Sequence, residues 1–408
     1  MAIIQPFRAL RPPVEKAAEV ASVPYDVVNT EEARQLAARS EWSFLHVSRP
    51  EIDLPDGTDL YSNAVYQKAA ENFARFQSAG ALLMDAAPRL FVYRQIMGAH
   101  AQTGVVACAS VDEYDGDLIK KHEKTRPDKE DDRTRHILAL RAQTGPVFLT
   151  YRGRPDIDTL VAAATETPSL YDFTAPDGIR HTVWSVADTE PLQEAFRRVK
   201  RLYIADGHHR AASASRTRAT LREQNPEHTG REECNSFLAV LFPAEQLQIL
   251  PYNRVVKDLG GLSPEGFLAR VREQFTVTED AGPQPTRQSQ WRMYLDGRWY
   301  GLERGLDATV GTDPVNSLDV SILQDNLLAP VLNIHDVRTD KRIDFVGGIR
   351  GTEELERLVD SGRFTVAFSL YPTTVDDLMR VSDVNGIMPP KSTWFEPKLR
   401  DALLIHCI

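Results

Sequence analysis

The passage that most constrains this chain is Leu202-Tyr203-Ile204-Ala205-Asp206-Gly207-His208-His209-Arg210-Ala211-Ala212. A short apolar run, suited to a strand, ends at a glycine, and an alanine-rich stretch suited to a helix follows at once. A glycine turn that opens a helix points backbone N–H groups and the positive end of the dipole outward, which makes an anion site. Gly207 lets the backbone approach a ligand closely. His208, His209 and Arg210 add donors for phosphate oxygens. A cation-rich helix start opposes the dipole, so this cluster calls for a polyanion to offset it. Asp206 fits either a magnesium ligand or a partner that fixes a histidine tautomer. The plain alternative makes it an N-cap on a solvent-exposed helix start. Zinc is disfavoured, because adjacent helical histidines splay by about 100°.

At 408 residues the chain is expected to form two or three domains. Its formal net charge of −10 argues against a protein that coats nucleic acid by neutralising phosphates. No window approaches the roughly 18 apolar residues of a membrane span. The apolar run at the N-terminus is too short for a signal peptide. Cys108, Cys234 and Cys407 are far apart and odd in number, which suits a reducing compartment and forms neither a zinc motif nor a disulfide framework. The expectation is a soluble cytoplasmic protein, free to form a homo-oligomer.

Residues 1–30 read as irregular, punctuated by Pro6, Pro12, Pro13 and Pro24. Patterning predicts helices over 30–39, 60–79, 133–143, 156–165, 191–200 and 208–224. It predicts strands over 43–47, 90–97, 103–114, 147–151, 182–186, 201–205, 236–242 and 248–250, with Gly98 turning the second and third into a hairpin. Further strands are expected near 291–303 and 364–370, and helices near 318–327, 352–361 and 374–382. This mixture predicts an α+β (mixed α/β) protein. The proline-and-polar stretch 280–290 is the best linker, so the expected division is 1–285 and 286–408, the tail of the second part returning toward the site.

Three other stretches carry candidate chemistry. Lys120–Arg133 is dense in charges of both signs. Read as an active-site loop, it offers Glu123 as general base for a hydroxyl. Lys124, Arg126 and Arg133 balance phosphate charge, Thr125 orients the substrate, and Asp132 is a second magnesium ligand. Read plainly, it is a solvated surface loop. In Ile387–Lys398, prolines stiffen a loop that could aim Lys391 at a site; equally, Trp394 and Phe395 could pack it over the core. Tyr25-Asp26, just after Pro24, could bind a polar substrate or anchor the N-terminus as a turn. Phe345–Thr352 lacks the full dinucleotide fingerprint and reads as a turn.

Taken in order, Pro-Tyr-Asp-Val at 24–27, His122-Glu123-Lys124-Thr125, Ala205–Arg210, Tyr371-Pro372-Thr373-Thr374 and Met388–Lys398 resemble a prokaryotic family called domain of unknown function 1015. The resemblance runs from about residue 5 to the C-terminus. More remotely, the Asp-Gly-His-His-Arg turn is similar to the phosphate-binding turn of the ParB/sulfiredoxin superfamily. That superfamily includes CTP-binding partition proteins, ATP-using sulfiredoxins and free-serine kinases. The resemblance implies a ParB/sulfiredoxin-like nucleotide-binding core with additional α/β structure, and phosphates held at Gly207, His208, His209 and Arg210. No cysteine lies in the turn, so sulfiredoxin chemistry is not expected. The implied activity is a small-molecule kinase that uses ATP or ADP with Mg2+ and phosphorylates free L-serine. Glu123, Asp206 and His209 would be catalytic. Lys124, Arg126, Arg133 and Lys391 would join the turn on the nucleotide, Tyr25, Asp26 and Thr125 would hold the substrate, and Asp206 and Asp132 the metal. Two other readings stay open: a nucleotide-gated ParB-like regulator without kinase activity, and a metal-dependent hydrolase built around His208 and His209.

Overall fold

The computed structural model describes residues 1–304 and 313–408. The chain divides into two compact units, Met1–Leu247 with Pro397–Ile408, and Gln248–Glu396. The boundary expected near 285 falls inside the second unit. Residues 280–289 join Thr276–Glu279 to Gln290–Leu295, two strands of one sheet. A proline-rich polar stretch marks a pause in backbone pairing, and a loop between strands is such a pause just as a linker is.

The first unit is built on a nine-stranded mixed sheet. From one edge the order is Ile119–Lys120, Leu202–Asp206, Val147–Tyr151, Ser236–Pro243, His100–Ser110, Leu90–Met97, Arg180–Val186 and Tyr171–Thr174, with Ile4–Gln5 added to one end of the 100–110 strand. The 202–206 strand runs parallel to 119–120, and 147–151 runs parallel to 236–243; the other pairs are antiparallel. Side chains alternate across a strand, so Val147, Leu149, Leu202, Ile204, Ala239 and Leu241 share one face. Helices Pro155–Thr165, Glu190–Arg197 and His208–Gln224 bury Ile157, Phe196 and Ala211 against it. Each large side chain so buried contributes about 1.5–3 kcal/mol.

A smaller sheet, Leu83–Met84, Ala9–Arg11, Ile405–Cys407 and Ala142–Gln143, ties together strands from both ends of the chain. Its neighbourhood corrects one expectation. Residues 43–47 are not a strand; Leu45–Ser48 is a helical turn, and after a break at Arg49 a 3-10 helix follows over Pro50–Asp53. Phe44 and Val47, three apart, both enter the core with Phe73 and Phe76 of helix Asn63–Ser78. That spacing puts both on one face of a turn and on opposite faces of a strand. The helix expected over 133–143 spans Pro127–Leu140, because Pro127 suits a first turn and Arg141 turns left-handed at φ 53°.

The second unit carries a six-stranded antiparallel sheet in the order Thr276–Glu279, Arg298–Glu303, Gln290–Leu295, Val366–Leu370, Tyr252–Val256, Ile343–Gly347. Leu355 and Leu358 of helix Glu353–Asp360 pack with Val255 and Ala367 of this sheet. Of the 345–352 segment expected as a turn, residues 345–347 belong instead to the sheet's edge strand Ile343–Gly347. The whole is a mixed α/β protein, as the patterning predicts. Among the described residues no helix is long and apolar enough to cross a membrane.

Candidate functional site

Strand Leu202–Asp206 delivers the chain to Gly207, which adopts φ 92° and ψ 31°. A side chain in this left-handed region costs roughly 1–2 kcal/mol, so the sharp strand-to-helix corner favours glycine. Helix His208–Gln224 then begins with no side chain capping its amides. The first amides of a helix have no acceptor within it. Asp206 Oδ1 accepts from the Gly207 N–H at 2.8 Å, one residue too early to satisfy them. Its Oδ2 lies 3.1 Å from Lys398 Nζ. Burial opposes the charge on Asp206, yet Lys398 and then Arg210 hold its carboxyl well below the usual range.

The segment after strand Ile119–Lys120, the neighbour of 202–206, is stitched to this helix start. The His122 N–H donates to His208 Nε2 at 3.4 Å, and the Arg126 N–H donates to His209 Nε2 at 3.1 Å. Nε2 is thus the acceptor in both rings, which leaves the proton of each neutral imidazole on Nδ1. His208 Nδ1 lies 3.9 Å from the Glu123 carboxylate, an electrostatic contact too long for a hydrogen bond. The His122 and His208 rings meet edge-on with centroids 4.4 Å apart. Burial pushes His122 down to about 4 and pushes His208, which also faces His122, well below its ordinary value. Burial lowers His209 as well. These rings are therefore neutral at pH 7 and offer N–H groups and lone pairs, not the positive charge that the bare motif suggests.

Arg210 points inward. Its Nη1 donates to the Pro146 carbonyl at 2.7 Å and its Nη2 to Asp26 Oδ1 at 3.3 Å. Burial opposes its charge, but Asp26, Asp206 and Asp401 together raise its pKa. The guanidinium expected on phosphate is an internal tie between the turn and the Tyr25–Asp26 segment. Arg133 and Asp132 form a buried pair at 2.8 Å. Tyr66 donates to the other oxygen of Asp132 at 2.8 Å, and the Arg133 guanidinium sits 4.0 Å from the centre of the Tyr25 ring.

Asp206 and Asp132 are both engaged by cationic side chains, so neither presents the open carboxylate that Mg2+ needs. The residues do not fit the magnesium site that the motif implied. Among the described residues, His122, Glu123 and His208 bring three donor atoms within 4.8 Å of one another. Two imidazoles and one carboxylate suit a transition metal better than magnesium. Both nitrogens of His208 are already directed, one accepting from His122 N and the other facing Glu123.

On the outer rim Glu123, Lys124 and Arg126 are exposed. Arg126 pairs with Asp128 at 2.9 Å, and the Thr125 hydroxyl donates to the Glu130 carboxylate. Lys391 lies in the second unit, its ammonium 5.3 Å from the centre of the Tyr252 ring. The other lysine of the same motif, Lys398, is the one beside Asp206. The sequence reading passed over Lys398, although it closes the motif that contains Lys391. It also passed over His122, visible as the first residue of His-Glu-Lys-Thr, and Asp401, which no spacing marks. Asp401 is placed by backbone pairing alone: its N–H donates to the Ser22 carbonyl at 2.9 Å.

The profile of the family described as a protein of unknown function (DUF1015) matches residues 4–321. No curated protein matches the chain. Solved structures similar to it include a free serine kinase in complex with AMP, 11% identical over 74% of this chain and 92% of that one, with a TM-score of 0.35. Another is SbnI with C-terminal truncation from Staphylococcus aureus, 12% identical over 73% and 87%, TM-score 0.39. A third is a conserved hypothetical protein from Pyrococcus furiosus, 13% identical over 73% and 94%, TM-score 0.35. With the family profile spanning residues 4–321, most of its length, this chain belongs to the DUF1015 family.

Proposed function

We propose that the chain is a nucleotide-dependent phosphotransferase acting on a small hydroxyl-bearing acceptor, with ATP or ADP as donor and free L-serine as acceptor. One observation carries this reading. The uncapped start of the 208–224 helix, entered through a left-handed glycine, is faced by a loop hydrogen-bonded to its first two side chains. Unpaired amides at such a helix start favour a polyanion. In this reading Glu123, Lys124 and Arg126, exposed on that loop, form the rim around those amides.

In this reading the donor phosphates rest on the amides of His208, His209 and Arg210, and Lys124 and Arg126 balance their outer charge. Glu123 takes the proton of the acceptor hydroxyl as its oxygen bonds to phosphorus and the bridging oxygen leaves with the nucleotide. The His208 Nδ1–H, directed at Glu123, supports the ionised carboxylate before the transfer. Phosphoryl transfer asks chiefly for positioning and charge balance, which this rim supplies. A magnesium ion carried by the nucleotide phosphates would supply further charge neutralisation, without Asp206 or Asp132 as ligands.

The test is Glu123→Gln. Turnover is expected to fall about 10²–10⁴-fold, followed by mass spectrometry of phosphoserine, while calorimetry shows nucleotide affinity nearly unchanged. Full turnover in the variant removes Glu123 from the chemistry. A wild-type chain that binds neither ATP nor ADP ends the phosphotransferase reading.

A further inference from the structure

Behind the turn lies a cavity of ≈ 40 Å³ whose wall includes Tyr25, Ser48, Arg133, Gly145, Arg210 and Asp401. Three polar atoms of these residues are buried without a hydrogen-bond partner: Asp401 Oδ1, Arg210 Nε and Ser48 Oγ. Buried polar atoms are nearly always paired, so an unpaired acceptor, an unpaired donor and a hydroxyl around one cavity ask for an occupant. The surrounding charges point the same way. Arg133 pairs with Asp132, Arg210 with Asp26, Lys398 with Asp206 and Arg400 with Asp177. Asp401, 3% exposed, has no ion-pair partner among the described residues. Its carboxylate is nevertheless held in place. The Asp401 N–H donates to Ser22 O and the Ala402 N–H to Thr144 O, each at 2.9 Å. A Cβ at residue 145 would stand 2.5 Å from Asp401 Oδ1, so glycine there leaves the carboxylate room.

We propose that this cavity receives the charged head of a compact α-amino acid, with Asp401 accepting from its ammonium and Arg210 Nε donating to its carboxylate. A cation alone would leave Arg210 Nε unpaired, and an anion alone would leave Asp401 unpaired; a zwitterion satisfies both. At roughly 10–15 Å³ per water, the space equals about three waters, the scale of such a head group. The inference rests on the phosphotransferase reading only in making this ligand the acceptor.

The experiment is calorimetry on the full chain without nucleotide, using L-serine, L-alanine, ethanolamine and glycerate. Both amino acids are expected to bind, with ethanolamine and glycerate weaker by about 10- to 100-fold, the worth of one charged hydrogen bond. Asp401→Asn should weaken L-serine and L-alanine by a similar factor and leave ATP binding unchanged. A second readout needs no variant. Asp401 faces Arg210, Asp26, Arg133 and Arg400, with Tyr25 and His136 on the same cavity wall. Burial lifts its carboxyl to about 7, so ammonium binding displaces a proton and L-serine affinity should rise from pH 6 to pH 8. Equal binding of glycerate and L-serine, an Asp401→Asn chain that binds L-serine as the wild type does, or no amino-acid binding at all (a cavity filled by water only) overturns the proposal. If the amino acids bind through Asp401 but no phosphoserine forms with ATP or ADP, the subsite stands and the phosphotransferase reading falls.

Discussion

Lys391 and Lys398 share one motif and end in different surroundings. Lys398 sits 3.1 Å from Asp206, at the end of the strand that feeds the turn, while Lys391 rests over the Tyr252 ring. Losing Lys398 strands a half-buried carboxylate, whereas losing Lys391 removes a cation–π contact. Lys398→Met is therefore expected to cost about 1–3 kcal/mol and Lys391→Met at most about 1 kcal/mol, compared by urea unfolding. Equal losses would mean that Lys398 does not hold Asp206. Residue types were readable from the chain, but not the directions of their side chains. Arg210 is the one arginine of the Asp-Gly-His-His-Arg turn, and it turns inward to Pro146 and Asp26. The partners that draw it there stand 64 and 184 residues away. Local spacing carries no record of them.

At the scale of elements, the strand–glycine–helix passage folds as its pattern predicts, since each of its signals is local. An apolar run of four, Leu202–Ala205, makes the strand, a residue tolerant of positive φ makes the corner, and helix formers follow. Gly207→Ala tests that corner. Its added Cβ would find Val147 Cα at 3.5 Å and Arg210 Cδ at 3.6 Å, ordinary contacts, so the cost is in the backbone. The variant should lose about 1–2 kcal/mol in urea unfolding. Nucleotide affinity should fall with it, because the helix start re-aims its amides. A variant of wild-type stability would place the corner outside the left-handed region. The 43–47 segment was misread because its period becomes clear only against Phe73 and Phe76. A run of five apolar and polar residues suits a strand or a helical turn equally well until the surface it packs on is known.

At the scale of the molecule, acid should weaken the two units unequally. Burial pushes His122 and His136 down to about 4 and His181 down to about 3. Unfolded histidines titrate near 6.5. Between pH 6.5 and 4 the unfolded chain thus binds more protons, and the first unit loses stability as pH falls. Asp401 in the first unit and Asp319 in the second are lifted to about 7 by burial. For these acids the sign reverses. The folded form binds more protons between their unfolded value near 3.9 and 7, so stability is regained as pH falls. In the first unit the lowered histidines, His208 and His209 among them, outnumber the carboxyls that burial raises, Asp401, Asp158 and Glu113, whereas the second holds only the exposed His335. Pulse proteolysis in urea at pH 7 and pH 5 should show Met1–Leu247 opening earlier at the lower pH relative to Gln248–Glu396; the reverse order refutes the assignment. The C-terminal strand offers a second test. Ile405–Cys407 pairs with both Ala9–Arg11 and Ala142–Gln143, so a chain ending at 396 should lose the protease resistance of the first unit. What the amino-acid order determined alone was local: the mixed strand and helix content and the glycine corner. Only the tertiary structure decided which side chains face that corner, where the two units part, and that Asp401 closes a cavity with Gly145. Those outcomes depend on pairings between residues hundreds of positions apart, and no local pattern encodes such a contact.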